Sequence, residues 1–444
     1  MYDTVAQYGQ VVSGGVDDWH PPIMVRVWQV LHPLGTGTAP MFVLQVALYA
    51  FGFALIVAAL VGEKRPIAAV GVAVLALSPM LLGWQMVVVK DAQMQGALVA
   101  AFGLVARYRL AGRRMQPLAV AAVALLLVYA TLVRANAVFV TVPLALLLLP
   151  RPRSLPKNGA TAVVAILLII GVSPFIDHVL LGADQSGVAK TQPMFDLAAI
   201  AVATPDPRPF TRAERAAIIR RHCVKSFFWD PIGDPTACGP ISARVHAEPQ
   251  GKLYLDLARA AASHPIVYAN HRLRHWNSSE RWLVAPGLPD IDPPDEAEPN
   301  DAGLATPGSR LMPKWQAIAA VEAATPLGWP IVWTVLCLCL LPAAWRRREE
   351  AAGSLALPLL ASALVLEASF LVISIASDTR YHLWPMAASA LAVILLSDQL
   401  NLRRWERFAV AGALALVAIG GIASRAMLPD APDTYQGMIH AASG

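Results

Sequence analysis

Ten long apolar runs in series constrain this chain more than any other feature. They lie near residues 40–61, 66–88, 92–106, 117–133, 137–150, 160–181, 328–345, 354–376, 382–397 and 407–424. Most approach the roughly 20 residues an α-helix needs to cross a bilayer core. A large soluble protein buries one or two such runs; ten leave too little polar sequence to cover a water-facing surface. Only 15% of the 444 residues are charged and mean hydropathy is +0.52, whereas a soluble domain carries about 25% charge. The expected fold is an all-α polytopic membrane protein of about ten transmembrane helices with a large outer loop region. Its divisions are a first outer loop (1–39), an N-terminal bundle of six helices (40–181), a large outer segment (182–327), a C-terminal bundle of four helices (328–424) and an outer tail (425–444).

The net charge is +5 and the pI about 9.1. The basic residues sit mostly in short loops beside apolar runs, where they act as topology signals. The partner they imply is the lipid bilayer and not nucleic acid. One alternate set of loops holds Lys64 and Arg65, then Arg107, Arg109, Arg113 and Arg114, then Arg151, Arg153 and Lys157, then Arg346–Arg348, then Arg403, Arg404 and Arg407. The other set of short loops holds only Lys90, Arg134 and Arg380. The positive-inside rule makes the first set cytoplasmic. The expected location is therefore a bacterial cytoplasmic membrane, with residues 1–39, 182–327 and the short loops at 89–91, 134–136 and 377–381 outside. No signal peptide is visible, and an outside N-terminus calls for a further span upstream, so a missing first helix is expected.

Four cysteines are present. Cys337 and Cys339 read as buried small hydrophobes. Cys223 and Cys238 lie in the outer segment, and an oxidising compartment would pair them as a disulfide. No paired Cys or His spacing suggests zinc. In the same segment Thr211 and Glu214 are spaced as a capping box for a helix running to Arg221. Residues 251–276 have amphipathic helical spacing, which fits either a membrane-surface helix or one packed on the bundle. Residues 285–308, rich in Pro, Asp, Glu and Gly, read as a loop.

Four polar clusters can carry chemistry. The first is Asp17-Asp18-Trp19-His20-Pro21-Pro22, two carboxylates and an imidazole on a segment stiffened by proline. A carboxylate there can serve as a general base or bind a divalent cation; the alternative is a solvated loop with a capping Asp. The second, Lys90-Asp91, is either a functional charge pair at a membrane face or a snorkelling Lys beside a helix cap. The third, Arg134 and Asn136, and the fourth, Asp378-Thr379-Arg380-Tyr381-His382, offer guanidinium groups suited to phosphate; both also fit interfacial anchors. All four map to the outer face. Together they suit a reaction on an anionic, lipid-borne substrate, with Arg and Lys holding phosphate and a carboxylate deprotonating a hydroxyl. Glu367, alone inside an apolar run, is the one feature that favours a transporter or flippase. A third reading is an assembly subunit that presents the outer segment to partners.

The motif Asp18-x-His20-Pro21-Pro22, followed by a Trp-containing short helix, resembles the first periplasmic loop of GT-C glycosyltransferases. These membrane enzymes take sugars from polyprenyl-phosphate carriers. The likeness is to the bacterial branch related to protein mannosyltransferases and aminoarabinose transferases. The stretch from Ser78-Pro79 to Lys90-Asp91, Arg134-x-Asn136 and Arg380-Tyr381 occupy similar places. The resemblance covers about residues 10–180 and 360–400. It implies Asp18 as catalytic base, with Asp17 the adjacent candidate and His20 beside them. It implies Arg380 and Lys90 as phosphate ligands, supported by Asp91, Arg134, Asn136 and Tyr381. A divalent metal, Mg or Mn, would sit at Asp18 and Asp91. The donor would be a polyprenyl-phosphate sugar and the acceptor a lipid, glycan or protein. The family carries a span before this loop, and this sequence does not.

Overall fold

The computed structural model describes residues 2–148, 155–289, 291–305, 308–397, 403–432 and 434–441. Arg151 and Arg153 lie outside the described residues. The described chain is helical, with no strand beyond two isolated bridges. Its helices are α1 (Tyr2–Ser13), α2 (Pro22–Leu31), α3 (Ala39–Gly62), α4 (Pro66–Ala76), α5 (Pro79–Gln85), α6 (Lys90–Leu110), α7 (Pro117–Val133), α8 (Val138–Leu148) and α9 (Leu155–Phe175). There follow α10 (Thr191–Ala203), α11 (Arg212–Arg220), α12 (Asp230–Gly233), α13 (Gly239–His246), α14 (Gln250–Ser263), α15 (Pro265–Ser279) and α16 (Met312–Ala324). The last are α17 (Pro330–Arg346), α18 (Ala351–Ile373), α19 (Leu383–Leu396), α20 (Arg404–Met427) and α21 (Tyr435–His440).

Among the described residues four helical segments are long and apolar enough to cross a membrane: Ala39–Gly62, Lys157–Leu180, Ala351–Ile373 and Arg404–Met427. The pair α4 and α5, bent by 52°, makes a fifth if it counts as one span. This suits a multi-pass membrane protein, with fewer full-length spans than ten apolar runs suggest. The physical reason is length and polarity. The run at 66–88 breaks at Ser78, where Pro79 starts a new helix and Glu322 of α16 accepts from the Ser78 hydroxyl (3.0 Å) and the Met80 amide (3.0 Å). The helices α7 and α17 have 17 residues each, about 26 Å at 1.5 Å per residue, short of a core of roughly 30 Å. The run at 92–106 sits in α6, which begins with Lys90, Asp91, Gln93 and Gln95 and is buried by its neighbours along most of its length.

The bundle core gathers around α3, α6, α8, α18 and α19. Helices α3 and α6 run side by side at backbone contact: a Cβ at Gly103 would lie within 2.4 Å of the Gly52 carbonyl oxygen. Small residues permit such an approach in membrane helices. The two ends of the bundle differ. At one, the Arg109 guanidinium donates to the carbonyls of Leu148 (2.5 Å) and Ser354 (3.0 Å), and Arg65 donates to Leu395 (2.9 Å). At the other lie the starts of α6 and α19 and the ends of α7 and α18.

That second end is capped by the described residues of 182–327, where α10 to α15 pack around a core of their own and α16 packs on α5. Cys223 and Cys238, both fully buried in that core, form a disulfide. The capping box of Thr211 and Glu214 starts α11. The amphipathic stretch at 251–276 is two helices packed on the protein: Leu253 and Leu257 are buried, and Arg272 donates to the Leu371, Phe370 and Ser374 carbonyls at the end of α18 (2.8, 3.0 and 2.9 Å). The first 39 residues, read from sequence as a loop, instead open with α1. Its buried face is Thr4, Gln7 and Val11, and the Thr4 hydroxyl donates to the Val88 carbonyl at 2.7 Å. A mostly polar face gave no hydrophobic stripe to recognise.

Candidate functional site

Three helix junctions deliver cations to one place. Lys90 is the first residue of α6, Arg134 closes α7, and Arg380 lies in the 3-10 turn that leads into α19. Each has acidic company. The Lys90 ammonium is 3.2 Å from Asp3 Oδ2, in the first turn of α1. Arg380 Nη1 is 3.1 Å from the same Asp3 oxygen, and its Nε is 2.5 Å from Asp378 and 3.5 Å from Asp91. Arg134 pairs with Asp91, donates through Nε to Asn136 (2.5 Å), and stacks 4.0 Å over the Tyr381 ring. Local structure places the carboxylates: Asp91 sits at the positive end of α6, and Asp378 caps the turn by accepting from the Arg380 amide at 3.1 Å. Lys90, Asp91, Arg134, Asn136, Arg380 and Tyr381, scattered in sequence, thus form one cluster. Its three cations, Lys90, Arg134 and Arg380, are matched by three carboxylates, Asp3, Asp91 and Asp378. Burial pushes the Asp3 carboxyl up, but Lys90 and Arg380 outweigh it and hold it below the usual carboxylate range.

The first loop joins this cluster through His20, which is only 3% exposed. Neither ring nitrogen of His20 has a hydrogen-bond partner among the described residues. Burial and the Lys90 charge lower its pKa to about 4, against the opposing pull of Asp3 and Asp17. Asp17 Oδ1 accepts from Gln10 Nε2 and the Trp19 amide, both at 3.0 Å. Asp18 points elsewhere: its Oδ1 accepts from the Ser186 amide (2.6 Å) and hydroxyl (2.5 Å). Its Oδ2 lies 3.7 Å from His178 Nε2, and His178 Nδ1 is 2.8 Å from the Ala183 carbonyl. A short parallel bridge between Asp17 and Asp184 holds the two segments together. Asp230, at the start of α12, is raised by burial and by the Asp234 and Asp3 charges, and Tyr435 donates to it at 2.8 Å.

Asp18 and Asp91, expected as a metal pair, each have other partners. Asp91 is held by Arg134 and Arg380, and Asp18 by Ser186 and His178. Among the described residues one group of carboxylates and imidazole has metal-ligand proximity, and it is Glu280, Glu367 and His382. Glu367, solitary in the sequence, has its carboxylate oxygens 2.8 and 2.9 Å from His382 Nδ1.

Sequence reasoning missed Asp3, His178, Ser186 and Glu280. The Asp177-His178 pair near the end of the apolar run at 160–181 was an available signal for His178. Asp3, Ser186 and Glu280 reach their partners only through the tertiary fold. Comparison of the chain with protein-family models, curated proteins and solved structures finds no match.

Proposed function

We propose that this protein is a membrane glycosyltransferase that moves a sugar from a polyprenyl-phosphate donor to an acceptor hydroxyl on the outer face of the bacterial cytoplasmic membrane. The observation that carries the reading is the convergence of Lys90, Arg134, Arg380 and His20 at one end of the bundle. Arg65 and Arg109 lie at the other end, as a cytoplasmic side requires.

In this reading the acceptor oxygen attacks the sugar C1 as the C1–O bond to phosphate breaks, and the lipid phosphate leaves with the bonding pair. Asp18, whose Oδ2 faces His178, would take the acceptor proton; His20, two residues on in the same loop, lies within reach of the Lys90 charge and ties that loop to the cation cluster. Lys90 and Arg380 receive the phosphate, where fixed cations in a dry site give strong charge stabilisation. Asp3, which bridges both cations, holds them in register and yields to the phosphate oxygens. The buried, unpartnered His20 nitrogens supply a further hydrogen-bonding group beside them. A carrier would instead need polar groups along a path to the basic end. Glu367 is engaged with His382 near the cation cluster, which favours the enzyme.

The test is turnover in proteoliposomes given a panel of polyprenyl-phosphate sugars, read as release of polyprenyl phosphate. Wild type releases it with one donor and Asp18→Asn does not. Net movement of intact donor across the bilayer without release would establish the carrier, and an active Asp18→Asn chain would remove Asp18 as the base.

A further inference from the structure

We infer that Glu280, Glu367 and His382 form a structural binding site for one divalent transition-metal ion, Zn2+ or Mn2+. The three come from different elements: Glu280 from the end of α15, Glu367 from within α18, and His382 from the turn before α19. Their candidate ligand atoms all lie within 4.8 Å of one another. None is more than 2% exposed.

Two observations beyond proximity point to a cation. Glu280 and Glu367 lie in hydrogen-bond contact with each other. Two carboxyl groups buried in contact are stable only if they share a proton or bind a cation. The Thr334 hydroxyl lies 3.1 Å from Glu280 Oε2 and the His382 ring lies beside Glu367, with the Arg281 and Arg134 charges near enough to act on that ring. The second observation is the far side of that ring. Its Nε2 is 3.3 Å from the Ser279 hydroxyl, while Nδ1 faces the carboxylates. A partner on the far side that orients the ring and aims the other nitrogen inward is common at metal-ligating histidines.

Two carboxylates and one imidazole suit zinc or manganese better than the all-oxygen shells of calcium and magnesium or the thiolate sites of soft ions. Complete burial argues for a closed structural site and against a catalytic one. The ion would pin the helical layer of residues 182–327, through Glu280, onto α18 and α19, two residues from Arg380. This inference does not depend on the glycosyltransferase reading, and its test measures metal and not turnover.

The full chain, purified in detergent, is loaded with Zn2+ or Mn2+, desalted, and its metal measured by mass spectrometry. About one equivalent per chain is expected in wild type and in Asp18→Asn, falling at least fivefold in Glu367→Gln and in His382→Ala. Should those variants fail to fold, the Cu2+-loaded wild-type chain is read by electron paramagnetic resonance for nitrogen hyperfine splitting from one imidazole. Wild-type protein that is monodisperse and binds no metal would overturn the site and leave a proton-sharing carboxyl pair. Metal content unchanged in both folded variants, or a copper signal without nitrogen splitting, would also overturn it.

Discussion

The Lys90 ammonium lies 3.2 Å from the Asp3 carboxylate and joins the first turns of α1 and α6, two helices far apart in the chain. Both side chains are mostly buried, 18% and 14% exposed. Removing Asp3 takes from Lys90 its carboxylate partner, which costs about 3–5 kcal/mol at buried pairs; removing Lys90 leaves Asp3 paired with Arg380 and costs less. Asp3→Asn is expected to lower the Tm of the detergent-solubilised protein by several degrees, and Lys90→Met by less. The double variant should lose less than the two losses summed, because the pair is coupled. Additive losses in such a cycle would mean the contact is energetically silent.

Asp18 is expected to matter for turnover and not for assembly. Asp18→Asn keeps an acceptor for the Ser186 amide and hydroxyl but loses the basic oxygen facing His178. Loss of a general base costs about 10²–10⁴ in rate, so kcat should fall in that range with KM little changed. His178→Ala should give a smaller fall in kcat. Steady-state assays with the donor identified by the panel, alongside size-exclusion profiles, check both.

The neutral state of His20 sets a pH window. Its pKa in the folded chain is about 4, below the ordinary 6.5. The unfolded chain therefore binds more protons between those values, and stability rises with pH across the window. The contribution, up to about 3 kcal/mol, is complete above pH 6.5 and is lost as pH falls towards 4. Wild-type Tm should drop across this range, and His20→Asn should flatten the slope. An equal slope in the variant would assign the acid sensitivity to other groups.

The disulfide between Cys223 and Cys238 closes a loop with a sequence separation of 15 in the core of the capping layer. A loop of that size is worth about 3 kcal/mol in chain entropy. The Cys223→Ser/Cys238→Ser double variant should melt several degrees lower by calorimetry. Wild type treated with reductant should approach the same value.

What could be read in the sequence was whatever depends on neighbours in the chain. The Thr211 and Glu214 capping box, the all-helical class and the apolar spans α3, α18 and α20 are of this kind. Lys90, Arg134 and Arg380 were legible as candidates because each interrupts apolar sequence at a helix junction. Their convergence was legible only as a shared side of the bilayer. Asp3, which links two of them, was invisible, because α1 hides a polar face and not an apolar one. Glu367 looked solitary because its partner Glu280 belongs to the layer whose packing no local pattern specifies. The run at 66–88 looked continuous because hydropathy is blind to the bend that Pro79 and Glu322 impose.

The short helices around the site have a consequence for the bilayer itself. Helix α7 has 17 residues and meets α8 at the Arg134–Asn136 turn. Where such a helix crosses, its length of about 26 Å is less than the typical hydrocarbon thickness. The mismatch is relieved when lipid thins locally or the polar turn is drawn below the headgroups. Either way the buried Arg134–Asn136 turn would lie closer to the bilayer midplane than the end of a full-length span.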